Sequence, residues 1–191
     1  MSFEKKFSYW RWCNLIPKKE ILKLNKLIEK NYIYTEDNKK HAHDSQGSSK
    51  KNTLVKVVQY KKIKTILKDF IDLFVYAGRF NFGYDIFEVT DLDLLNLNIY
   101  SSKDKAKYDW HTDGSDNPKI DTKLTILINV SLKTYEGGNF YLFNNNKFEV
   151  PELNKPGNAI MFKSAVNHKV LPVTKGERRT LAIFLYGPVF R

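Results

Sequence analysis

The chain has 191 residues and carries 32 Lys and Arg against 21 Asp and Glu, for a net charge of +11; 42% of it is hydrophobic and 14% aromatic. That apolar content supports a packed core and excludes wholesale disorder. No window approaches the ~18 consecutive apolar residues of a membrane-spanning helix. The N-terminus lacks the apolar run of about 7–15 residues in a secretory signal, and Cys13, the lone cysteine, excludes an intrachain disulfide or a cysteine-based zinc site. A soluble, cytoplasmic protein is expected, with the whole chain, 1–191, as one domain.

The charge is uneven, with a net of +10 over residues 1–80 and +1 over 81–191. A basic half can face nucleic acid. However, 27 of the basic residues are Lys and only 5 are Arg, whereas base readers lean on the planar Arg fork. Nucleic acid is therefore a partner of second rank.

In chain order, the aromatic stretch 7–16 reads as an edge strand. Pro17 then opens a helix over 18–31, with Ile21, Leu24, Leu27 and Ile28 at helical spacing. Residues 35–52 hold one Ala and no other apolar residue, which predicts a solvated, flexible loop. A strand is expected over 54–60. Over 61–77, Ile63, Ile66, Leu67, Phe70, Leu73 and Phe74 form one apolar stripe of a second helix.

From about residue 84 the texture becomes β. Short runs at 95–100, 107–113, 123–131, 139–143, 159–163, 169–173 and 180–186 are separated by turn chemistry such as Gly137-Gly138, Asn144-Asn145-Asn146 and Pro156-Gly157-Asn158. About eight strands at this spacing predict a mainly β sandwich or jelly roll over 84–191. The helical segment 1–83 would buttress one outer face.

The stretch 108–114, YDWHTDG, carries the most chemistry. On a strand His111 and Asp113 share a face and can occupy neighbouring corners of one metal ion. Taken alone, the pair is indistinguishable from a surface histidine beside a solvated carboxylate. His168 lies at the start of a later β stretch, and Arg178 opens the last one. Two His and one carboxylate make the facial triad that leaves positions open on non-haem Fe(II). Arg is suited to clamping a carboxylate of a bound 2-oxo acid.

With HTD at 111–113, YEGG at 135–138, PGNAIMF at 156–162 and NHKVLPVTKGERRTLAIFLYG at 167–187, the chain resembles the Fe(II)/2-oxoglutarate-dependent oxygenases. Within them it is most similar to the prolyl-4-hydroxylase-like branch, which includes small bacterial and phage members. The likeness covers about 84–188. It implies a double-stranded β-helix, Fe(II), 2-oxoglutarate as co-substrate and O2, with ascorbate as a stimulatory reductant. It also implies action in the cytoplasm of a bacterium or a phage host.

Residue by residue, the resemblance assigns the iron to His111, Asp113 and His168. It gives the distal carboxylate of 2-oxoglutarate to Arg178, assisted by Thr180. Strand alternation sets Arg178 and Thr180 on one face and Arg179 on the other. Tyr100 matches a strand tyrosine that reaches the co-substrate. Tyr108 matches one lining the active-site mouth, or else packs in the core. Asn129 is either a polar contact to the co-substrate or a buried amide satisfied by backbone. Gly137-Gly138 reads as structural, and His41 and His43, in the polar loop, as exposed non-ligands. The implied reaction hydroxylates a C–H bond while 2-oxoglutarate yields succinate and CO2. A prolyl residue of a polypeptide is the favoured substrate; a small metabolite and a methylated nucleobase are the alternatives. Against the last, the apolar 181–188 stretch lacks the further Arg and Asn of demethylases. A non-catalytic jelly-roll module would not need the complete triad and clamp. Oligomeric state is not encoded in any feature of the sequence.

Overall fold

The computed structural model describes residues 9–37, 51–115 and 117–190. His41 and His43 lie outside these residues. Among the described residues, no helix is long and apolar enough to cross a membrane.

Strand β1 (Tyr9–Trp12) is followed by helix α1 (Lys18–Asn31), β2 (Tyr34–Asp37), β3 (Leu54–Gln59) and helix α2 (Lys64–Phe80). The β region comprises β4 (Leu94–Ser101), β5 (Tyr108–His111), β6 (Ile120–Asn129), β7 (Glu136–Gly137), β8 (Phe140–Asn144) and β9 (Asn146–Glu149). It ends with β10 (Ala159–Lys163), β11 (Asn167–Val170), β12 (Val173–Lys175) and β13 (Glu177–Pro188).

These strands form a seven-stranded sheet in the order β1-β10-β6-β13-β4-β3-β2, a four-stranded sheet β5-β11-β8-β9, and the pair β12-β7. Every pairing between them is antiparallel. This is a mainly β jelly roll.

Alternation along β13 sorts the core into two layers. Leu181, Ile183 and Leu185 join the helix-side cluster with Ile21, Leu24 and Ile28 of α1 and Leu67, Ile71 and Phe74 of α2. Ala182 joins the cluster between the sheets, with Phe140, Leu142, Phe162 and Val170. Neither helix has a side-chain N-cap, so their stability comes from these buried stripes, at about 1.5–3 kcal/mol per buried large aliphatic residue.

Several boundaries differ from expectation. Residues 60–62 form a 3-10 turn ahead of α2, which then runs on to Phe80. The stretch expected to be loop from residue 35 begins instead as β2, paired with β3. All four β2 residues are exposed, so backbone hydrogen bonds make this edge strand without any apolar signature. The single strand expected at 169–173 is two, β11 and β12, broken at Leu171-Pro172, since proline cannot donate to a ladder. Strand β9 follows β8 through Asn145, which takes a left-handed φ of 63°. Its sequence NKFE has too little apolar content to signal a strand.

Candidate active site

The inner faces of the two sheets meet on a cavity of about 170 Å³. His111 at the end of β5 pairs directly with His168 on β11, and Asp113 lies two residues beyond His111. Nε2 of His168 is 3.4 Å from Asp113 Oδ2, and Nε2 of His111 is 3.9 Å from Oδ1. One ligand atom from each of the three lies within 4.8 Å of the others, close enough to share one ion.

The ring orientations suit a metal. His111 Nδ1 is 2.7 Å from the Asp109 carbonyl and His168 Nδ1 is 2.9 Å from the Val166 carbonyl. A carbonyl can only accept, so each Nδ1 holds the proton and each Nε2 turns a lone pair toward Asp113. Burial lowers the His168 pKa, against the opposing pull of Asp113, which keeps the imidazole neutral and able to ligate.

Asp113 is held from the major sheet. Thr125 on β6 donates from its hydroxyl to Oδ2 at 2.7 Å, so Ser164, 2.9 Å from the same Thr125 oxygen, donates to it in turn. The Asp113 N–H donates to the Ser164 carbonyl at 3.0 Å. Neither hydroxyl is marked in the sequence, because the three residues meet only through the pairing of β6 with β10 and the turn that follows it.

Across the cavity, Arg178 and Thr180 project inward from β13. Arg178 is fully buried, opposite Tyr100 of β4, with its Cζ 5.2 Å from the tyrosine ring centre. Its Nε and Nη2, and the Thr180 hydroxyl, make no hydrogen bond among the described residues. A buried guanidinium without a carboxylate is costly, so the chemistry of the cavity fits an incoming anion. Arg179 points the other way and bonds Glu29 at 3.2 Å, Asn25 at 3.0 Å and Glu177 at 2.7 Å.

Tyr100 and Tyr108 both line the cavity. The Tyr108 ring stacks on His111 with centroids 3.3 Å apart and an interplanar angle of 12°, and burial pushes its hydroxyl up to about 12. Asn129 is not brought to the cavity, which corrects the expectation of a co-substrate contact. Its amide donates to the Leu153 carbonyl and the Tyr135 hydroxyl, and its carbonyl accepts from Ser131 N–H. It shares a face with Thr125 and Leu127, but at the end of β6 these partners consume the side chain.

Three further polar residues line the cavity: Asn96 and Asn98 on β4, and Lys51. Lys51 belongs to the stretch expected to be a solvated loop, yet its Nζ sits 4.7 Å from the Tyr108 ring centre, and burial lowers its pKa. Nothing in a lysine-rich polar run separates it from Lys50. The alternation of Asn96 and Asn98 with Leu95 and Leu97 is the signal that could have pointed to the other two.

Residues 95–186, which carry the triad and Arg178, match the model of the 2OG-Fe(II) oxygenase superfamily. Over those residues the chain is similar to that superfamily. No curated protein matches it by sequence. Its fold is similar to that of a prolyl-4-hydroxylase from Pseudomonas putida, with 14% identity, a TM-score of 0.66, and 96% of this chain and 95% of that one covered. It is also similar to the viral collagen prolyl hydroxylase of Paramecium Bursaria Chlorella virus-1, a 2OG complex, with 17% identity, a TM-score of 0.67, and 95% and 97% covered. A third is a Trichoplax adhaerens prolyl hydroxylase in complex with a hypoxia inducible factor peptide, with 14% identity, a TM-score of 0.66, and 94% and 83% covered.

Proposed function

We propose that this chain is an Fe(II)- and 2-oxoglutarate-dependent dioxygenase that hydroxylates a C–H bond, with a prolyl residue of a polypeptide as its substrate. One observation carries the reading: Arg178, fully buried with Nε and Nη2 unpartnered among the described residues, faces the same cavity as the His111–Asp113–His168 cluster. That pairing of a metal-ligand set with a buried carboxylate receptor suits a 2-oxo acid that spans the two. Bound iron supplies the redox chemistry that couples O2 and 2-oxoglutarate to C–H hydroxylation, with succinate and CO2 as co-products.

The protein's own residues orient and enclose. His111, Asp113 and His168 would hold the ion, with Thr125 fixing the carboxylate and the Asp109 and Val166 carbonyls fixing the rings. Arg178 and Thr180 would take the distal carboxylate of 2-oxoglutarate, which supplies the anion their orphaned donors lack. Leu127, Phe140 and Val170 are the apolar part of the wall between them. The polypeptide substrate rests on similarity to the prolyl hydroxylase folds and on the polar Asn96 and Asn98 flank, which can bond amide groups.

The test is succinate release, followed by mass spectrometry, with Fe(II), 2-oxoglutarate and either proline-containing peptides or methylated oligonucleotides. Stimulation by the peptides, with a 16-dalton gain on proline, is expected. Stimulation by the oligonucleotides alone would assign nucleobase demethylation instead, and absence of succinate under every condition would overturn the enzyme reading.

A further inference from the structure

Arg178 is held in place by packing. Its Nε and Nη2 bond to nothing among the described residues, and its charged head lies against the Tyr100 ring. Its stem meets Gly138, which lies between β7 and β8. A Cβ built on Gly138 would lie 2.9 Å from Arg178 Cδ and 2.9 Å from Val173 Cγ2. Such separations are not tolerated, and both neighbours are fully buried. Gly138 also has a φ of 67°, and its N–H donates to the Pro172 carbonyl at 3.0 Å, which fixes the glycine against the strand pair.

We infer that Gly138 is a positioning residue for co-substrate binding: its bare Cα leaves the space in which the Arg178 stem lies, and so sets where the guanidinium meets the distal carboxylate. This rests on the assignment of Arg178 to 2-oxoglutarate. A methyl group at residue 138 displaces the stem and moves the fork off the carboxylate. A misplacement of about 1 Å can cost on the order of a hundredfold where geometry is critical.

Substitution at a positive φ carries its own backbone penalty, and Gly83 supplies the control. Its φ is 70°, and an added Cβ there meets nothing within 4 Å. Gly83→Ala therefore reports the conformational cost alone.

The experiment measures 2-oxoglutarate binding to the Mn(II)-loaded protein by calorimetry without O2, Mn(II) affinity, and thermal unfolding, for Gly138→Ala, Gly83→Ala, Arg178→Ala and Gly138→Ala/Arg178→Ala. Gly138→Ala is expected to weaken 2-oxoglutarate binding by about tenfold or more with Mn(II) affinity unchanged, while Gly83→Ala leaves both as in wild type. The thermal penalty of Gly138→Ala is expected to shrink once Arg178 is removed, because one of its two steric partners is gone. If Gly138→Ala fails to fold, recovery in the double variant carries the same conclusion. Wild-type 2-oxoglutarate affinity in Gly138→Ala, an unchanged penalty in the Arg178→Ala background, or a double variant that stays unfolded would overturn the inference and leave the glycine serving Val173 and the turn. Unaltered 2-oxoglutarate binding in Arg178→Ala would instead sink the assignment of the clamp itself.

Discussion

The Thr125 hydroxyl donates to Asp113 Oδ2 at 2.7 Å, joining the carboxylate beyond β5 in the minor sheet to β6 in the major one. Asp113 thus faces two histidines from a position fixed by the opposite sheet. Thr125→Val keeps the volume and removes the donor, leaving the carboxylate free to rotate. Losing a hydrogen-bonding partner of this kind typically costs 10–100-fold in metal affinity. Titration of Fe(II) or Mn(II) should find a loss in that range, with the fold intact by circular dichroism; an unchanged affinity would show that the carboxylate holds its orientation without the Thr125 donor.

Removing a ligand outright is more severe. His111→Ala, Asp113→Ala and His168→Ala should each abolish succinate formation. In wild type, Mn(II) should raise the melting temperature through preferential binding to the folded state, and this rise should vanish in Asp113→Ala. Zn(II) should also bind, since affinity follows the metal series rather than the chemistry required. Wild-type turnover in any of the three variants would remove that residue from the metal site.

Sequence made the inner face of β13 legible because alternation is strict there. Arg178, Thr180 and Ala182 face the cavity, while Leu181 and Ile183 face the helices. The same logic leaves Asn129 open between a co-substrate contact and a satisfied buried amide, because period-2 alternation gives the face of a strand but not what waits at its end; the Tyr135 hydroxyl and the Leu153 carbonyl, 6 and 24 residues on, make it the latter. The Asp113–Thr125–Ser164 chain was invisible for a related reason. Its members are 12 and 39 residues apart, and only the sheet pairing brings their hydroxyls together. Edge strands β2 and β9 were missed because they are made by backbone bonds to one neighbour and bury little.

Outside the site, Glu29 of α1 joins the helix to the major sheet through Lys56 and Arg179. Partial burial pushes its carboxyl up, but the Lys56 hydrogen bond and charge, aided by Arg179, outweigh this and hold it below its ordinary value of 4.5. A depressed folded-state value means the contribution is complete above 4.5 and fades as the pH falls through the lower folded value. Glu29→Gln should therefore show a shallower loss of melting temperature than wild type over roughly pH 5 to 3. Identical acid limbs would mean that the ion pair contributes nothing measurable, as many exposed pairs do.

The neighbouring arginines of β13 give the sharpest comparison. Arg178 is fully buried, its Nε and Nη2 without a partner among the described residues, whereas Arg179 is already paired with Glu29 and Glu177 on the helix side. Arg178→Ala would leave the distal carboxylate of 2-oxoglutarate without its counter-charge at a buried position of the cavity wall. Truncating one member of such a pair costs about 2–5 kcal/mol, or about 30- to several-thousand-fold. The loss should fall on the KM for 2-oxoglutarate, with Fe(II) affinity kept. Arg179→Ala should change that KM less than about threefold, within the ~0.5 kcal/mol of ordinary surface substitutions, while lowering the melting temperature through the lost contacts to α1. Succinate formation against 2-oxoglutarate concentration distinguishes the two. Equal effects on KM would mean that the distal carboxylate is bound elsewhere than on the inner face of β13.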